Sequence, residues 1–155
     1  MLNKKLETLK KYLIESGEVE KSELEVATVE NSYNEYCNTF EIVGNEYKVL
    51  TDAEADEEAK NQILDSLWAF NADFILSHTA FYGNSTPSED EIFVNSLQEM
   101  QSKLCESANN IVKALIVDID EFVENAIDAD GRGHFISWYD GEEVEQDEFY
   151  IYRTN

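Results

Sequence analysis

Basic residues are scarce in this sequence: 11 lysines and arginines stand against 34 aspartates and glutamates, a formal net charge of −23 at neutral pH. Nucleic acid and anionic membranes are held mainly by Lys and Arg neutralising phosphates, so direct binding to either is disfavoured and a basic partner is favoured. Cysteine is scarcer still. Cys37 and Cys105 are the only two and have no metal-ligand spacing, so two reduced thiols are expected rather than a disulfide framework. Only two histidines, His78 and His134, are present, far from each other in sequence. No stretch approaches the roughly 20 apolar residues of a membrane span. The opening MLNKKLETLKKYLIES has no uninterrupted apolar core of the secretory kind, so the protein is expected to stay in the cytoplasm where it is made.

What is present is enough to fold. Of the 155 residues 43% are apolar and 12% aromatic, and they are periodic, which argues for a packed core and against a disordered acidic tail. The chain has the length of one ordinary domain, 1–155, with no internal repeat and no low-complexity linker. Charge is unevenly spread: residues 1–49 carry ten acids and six bases, residues 50–155 twenty-four acids and five bases. The bland reading is that such a charge keeps a small domain soluble at some cost in self-repulsion.

Leu2, Leu6, Leu9 and Leu13 recur at helical spacing before Gly17, a helix ended by a glycine cap. The runs LEVATV, CNTFEIV and EYKVL between Leu24 and Leu50 read as strands, the last two joined by a turn at Gly44-Asn45. Thr51 and Glu54 form a capping box before a central helix whose stripe runs Ala59, Ile63, Leu67, Phe70 and Phe74. Thr86, Pro87 and Glu89 restart a helix after the loop at 81–87. Apolar periodicity then continues to Ala126, and its length favours two helices kinked near Ser107–Asn110 over one. FISWY and FYIYR, separated by the acidic DGEEVEQDE, fit a C-terminal β-hairpin whose last strand can join the earlier three. The expected class is α+β: an N-terminal helix, a small antiparallel sheet of hairpins, two to three central helices and the C-terminal hairpin.

Chemistry is harder to place. In DGRGHFISWYDGEE, taking Gly131 as the sixth position of a calcium loop puts Ala126 first and Ser137 twelfth, so two charged ligands are missing and no metal is expected. Asp128, Asp130, His134 and Asp140, with Tyr139 nearby, supply acid and base groups for a small metal-dependent or hydrolytic enzyme if they converge. Cys105 with a distant histidine meets a nucleophile-base pair only superficially. Gly131-Arg132-Gly133 is too short for a nucleotide fingerprint and reads as a helix exit, with Arg132 exposed or paired locally. No cofactor is implied. Self-association through Trp138, Tyr150 and Tyr152, as a dimer for instance, is a third reading.

The acids themselves form two clusters. Asp52, Glu54, Asp56, Glu57 and Glu58 head the central helix, and Asp140, Glu142, Glu143, Glu145, Asp147 and Glu148 surround the hairpin tip. Capping and a solvated turn explain them locally. A rigid domain offering carboxylates at the density of DNA phosphates, about one charge per 1.7 Å of duplex, can also compete for a basic nucleic-acid groove.

The strings VLTDAEADE (49–57), SLWAFNADFILSHT (66–79), LCESAN (104–109) and DGRGHFISWYDGEE followed by FYIYRTN resemble a family of acidic proteins from phages and mobile elements. Some members are associated with inhibition of CRISPR nucleases, Cas9-type effectors in particular. The resemblance covers residues 46–155, the first 45 being variable, and it transfers no functional residue. Taken with the charge asymmetry and the lack of a catalytic motif, the resemblance points to a non-enzymatic inhibitor of a host defence nuclease in the bacterial cytoplasm; the acidic surface, read from the charge, is expected to act on a basic groove or on a mobile nuclease domain.

Overall fold

A computed structural model describes residues 1–155 as two compact units, one made of 1–59 with 130–155 and the other of 60–129. The fold is α+β, with an N-terminal helix, a five-stranded antiparallel sheet, several further helices and a C-terminal hairpin. No helix is long and apolar enough to cross a membrane.

The first unit is a sheet covered by a helix. Helix α1 (Leu2–Ser16) ends where Gly17 turns left-handed and returns its N–H to the Ile14 carbonyl. Leu6, Leu9 and Leu13 form its buried stripe. They meet Phe40 and Ile42 of β2 (Thr39–Ile42), Tyr47 and Val49 of β3 (Asn45–Leu50), and Phe149 and Ile151 of β5 (Phe149–Arg153). The residues facing α1 alternate along each strand, while Leu50 and Tyr152 are buried on the opposite face. The order is β1-β2-β3-β5-β4, with β1 (Tyr33–Asn34) and β4 (Val144–Gln146) at the edges, so the last strand does join the earlier hairpin.

Three expectations for this unit are corrected. LEVATV is no strand: it spans the end of α2 (Lys21–Leu24) and the start of α3 (Val29–Ser32). Leu24 and Ala27 are buried while Val26 is 72% exposed, a three-residue spacing that a strand's alternation cannot produce. The β2–β3 turn falls at Val43-Gly44, one residue earlier than expected, with φ of 50° and 77°. Both central residues thus take the positive φ of a two-residue hairpin turn. Asn45 is thereby left in the strand, where its Oδ1 accepts from the Arg153 guanidinium at 2.8 Å. FISWY is the third. Phe135 and Ile136 close a short helix, α9 (Arg132–Ile136), Trp138 and Tyr139 lie in the turn after it, and the hairpin is built from β4 and β5 around Asp147-Glu148.

Helix α4 (Asp52–Asp65) starts in the first unit at the Thr51–Glu54 capping box: the Thr51 N–H donates to Glu54 Oε2 at 2.7 Å. In the second unit the expected central helix stops early. Ser66 Oγ donates back to the Gln62 carbonyl, a 3-10 turn follows at Leu67–Ala69, and Asn71 caps α5 (Ala72–Ser77). The backbone groups freed there are taken up by two amides: Gln101 Nε2 donates to the carbonyls of Trp68 and Phe70 at 2.8 Å each, and Asn109 pairs with Trp68 N–H and the Leu64 carbonyl. The long periodic stretch divides into α6 (Pro87–Leu104), α7 (Asn109–Leu115) and α8 (Ile119–Asp130). A 3-10 turn at Cys105–Ala108 occupies the kink expected near Ser107. A further break precedes α8, where Asp118 Oδ1 accepts from the N–H groups of Asp120 and Glu121. Phe122 packs edge-on against Phe70 and Phe74 in the core of this unit.

Candidate functional site

All eleven acids of the two clusters fall in the first unit, and the structure brings the clusters together around one cation. Arg132 NH1 lies 2.8 Å from Asp52 Oδ1 and 2.8 Å from Asp56 Oδ1, while its Nε and NH2 fork onto the two oxygens of Glu143 at 2.9 Å each. The guanidinium stacks on Tyr150, 4.4 Å from the ring centroid. Glu143 raises the Arg132 pKa most, and Asp52 and Asp56 add to that against the opposing effect of burial. Tyr152, fully buried, donates its hydroxyl to Glu143 and is itself pushed well above the usual phenol range, first by burial and then by that carboxylate.

Two glycines make this junction. Gly131, at φ 79°, breaks the chain out of α8, and Gly133 then presses α9 against the loop 141–143. A Cβ on Gly133 would run into the Gly141 carbonyl oxygen and stand 2.8 Å from Glu142 C and 2.9 Å from Glu143 N. The second glycine is therefore a packing requirement, not only a source of backbone freedom.

The other clustered acids divide into paired and unpaired. Glu54 accepts from Lys5 Nζ at 2.6 Å, and Lys5 is buried. Burial alone would raise the Glu54 pKa, but Lys5 and the Thr51 N–H outweigh it and hold the carboxyl below its ordinary range. Glu58 pairs with Lys48, Asp147 with Lys11 at 2.7 Å, and Glu148 with Lys4. Asp140 closes a local turn, accepting from the Ser137 hydroxyl at 2.7 Å and the Glu142 N–H at 3.0 Å. Glu57, Glu142 and Glu145 are exposed and carry no ion pair.

The residues of the enzyme reading lie at the end of α8, on α9 and in the loop after it. His134 is exposed on α9 with its ring edge-on to Phe135. Asp128 and Asp130 are exposed near the end of α8. His78 has a structural setting: Nδ1 lies 2.8 Å from the Phe74 carbonyl and Nε2 2.9 Å from Asn125 Nδ2, so Nδ1 carries the proton. In neither unit do three His, Cys, Asp or Glu side chains gather in a metal-holding set. Cys37 and Cys105 are both exposed and unbridged.

A concave feature escaped the sequence reading altogether. Tyr12, Glu18, Tyr47, Tyr139, Asp140 and Arg153 line a hollow of about 210 Å³, with Ile151 and Val144 also in its wall. Tyr12 and Tyr47 donate their hydroxyls to the two oxygens of Glu18 at 3.0 and 3.2 Å. The Arg153 guanidinium lies 3.7 Å from the centroid of the Tyr139 ring. These residues come from α1, the loop after it, β3, the 137–143 loop and β5, and only the register of the sheet unites them.

Comparison with protein-family models, curated proteins and solved structures finds no match for this chain.

Proposed function

We propose that the chain is a non-enzymatic binding protein that sets an acidic surface against the basic, nucleic-acid-binding surface of a protein partner. Following the resemblance of residues 46–155, the partner is a host CRISPR nuclease, most simply a Cas9-type effector, and the effect is inhibition. One observation carries the reading: the few cations are consumed internally. Eight of the 11 bases pair with ten of the 34 acids, and only Lys21, Lys113 and Arg153 have no carboxylate partner. Twenty-four acids therefore keep an uncompensated charge. Such a surface accelerates encounter with a basic groove and rejects acidic competitors.

The test is an inhibition assay. Purified protein added to guide-loaded Cas9-type nuclease should lower DNA binding or cleavage, less so as salt rises. Unchanged DNA binding and cleavage at saturating protein would end the reading. Lysine substitutions at Glu57, Glu142 and Glu145 should weaken inhibition while leaving folding intact, because none of the three is spent on an internal ion pair.

A further inference from the structure

The hollow beside β5 combines three features: aromatic walls, acidic rims and a size suited to one side chain. Its tyrosines are of three kinds. Tyr47 is 1% exposed and forms the floor, Tyr12 is half-buried, and Tyr139 is 57% exposed at the mouth. Three carboxylates, Glu18, Asp140 and Glu142, face one guanidinium, Arg153, so the lining keeps a net negative charge of two. Arg153 is held by the Asn45 side chain and its own C-terminal neighbour, the Asn155 carbonyl, and neutralises none of the three.

We propose that this hollow is a docking pocket for a single lysine or arginine side chain of a basic protein partner. The proposal rests on the acidic-surface reading above and names the group that surface would grip. Aromatic faces carry negative electrostatic potential, and a cation within about 6 Å of a ring centroid is attracted to it, more strongly the drier the site. Arg153 over Tyr139 shows within this chain that the ring accepts a flat cation on one face. The volume, about 210 Å³, falls below the roughly 300 Å³ at which pockets for drug-sized ligands begin, which suits one extended side chain.

Glu18 fits the same role. It receives the hydroxyl protons of Tyr12 and Tyr47, and Tyr12 is held protonated up to about 12 by burial and then by Glu18. A carboxylate with two oxygens retains lone pairs after two such bonds and can accept from an ammonium or guanidinium. Beside the pocket Trp138 stands 74% exposed, a large flat ring of the kind that anchors protein interfaces.

The full chain is titrated with N-acetyl-arginine amide, N-acetyl-lysine amide and uncharged N-acetyl-citrulline amide, and ring proton resonances are followed by NMR. Either cationic probe should give saturable shifts at Tyr12, Tyr47 and Tyr139. Citrulline, or Glu18→Gln or Tyr139→Ala protein with the cationic probes, should bind about tenfold more weakly, the equivalent of one aromatic or charged contact. Both substitutions lie at exposed positions, and circular dichroism of each variant checks that it folds before it is titrated. Equal shifts with citrulline, shifts that do not saturate, or unchanged affinity in both variants overturn the pocket. Nuclease inhibition by Tyr139→Ala as strong as by the parent would also overturn it while leaving the acidic-surface reading standing. Saturable, variant-sensitive probe binding with no nuclease inhibited would keep the pocket and remove the nuclease.

Discussion

At the scale of single residues the decisive one is a cation in an acidic protein. Arg132 stands where three carboxylates from two distant segments would otherwise repel one another. Arg132→Lys should cost about 2 kcal/mol in urea unfolding, most of it from the forked bond to Glu143, because a point charge cannot reproduce that fork. Asp52 and Asp56 are largely exposed and contribute less than about 1 kcal/mol each. Gly133→Ala should be at least as damaging, at about 1–3 kcal/mol, since the new methyl meets backbone at Gly141 to Glu143 that cannot swing aside. A Gly133→Ala protein of parental stability would show that α9 can be lifted off the loop.

At the scale of elements, charge works through caps and buried pairs. Glu54 has a folded-state pKa below its ordinary 4.5, so it contributes stability that is complete above that value and is lost as pH falls through the lower, folded one. Between about pH 6 and pH 3 the parent should therefore lose more unfolding free energy than Glu54→Gln, whose cap no longer titrates. Equal losses would place the acid sensitivity elsewhere. Much at this scale could be read from sequence: α1 with Gly17, both capping boxes, β2, β3 and β5 follow local rules with little competition. The failures are equally physical. Leu24 to Val29 has strand-forming residues, but the core needs Leu24 and Ala27 on one side. In FISWY only Phe135, Ile136 and Ser137 are buried, on consecutive positions, while Trp138 and Tyr139 are exposed, and five such residues carry too little periodicity to be told from a strand. The two acidic clusters were legible as composition, whereas their convergence on Arg132 and the Tyr12–Glu18–Tyr47 hollow depend on tertiary pairing, for which sequence carries no local signal.

At the scale of the whole molecule, ion pairs and self-repulsion pull in opposite directions, and their balance can be measured. With twenty-four unpaired acids the repulsion should dominate. Raising salt from about 10 mM to about 0.5 M shortens the Debye length from about 30 Å to a few ångströms, so Tm should rise by about 2–4 °C for each kcal/mol of repulsion relieved. A falling Tm would mean that the Arg132 and Lys5 networks outweigh the rest of the surface. Binding to a basic partner should respond the other way and weaken with salt. A single salt series thus separates the charge that burdens the fold from the charge offered outward.

The buried hydroxyls on carboxylates give the molecule an optical signature as well. Four of its eight tyrosines, Tyr12, Tyr33, Tyr47 and Tyr152, are kept neutral beyond the ordinary phenol value of 10.0. Neutral phenols favour the folded chain below that pH, and the advantage disappears as pH rises above it. In alkali these four rings should stay dark in the phenolate band until the fold opens, then ionise together in one sharp absorbance step coincident with the loss of helical circular dichroism. A gradual rise that precedes unfolding would contradict the shielding that burial provides at all four rings, backed by Glu18 at Tyr12 and Tyr47 and by Glu143 at Tyr152. The chain thus carries its own unfolding indicator, readable without a dye or a label.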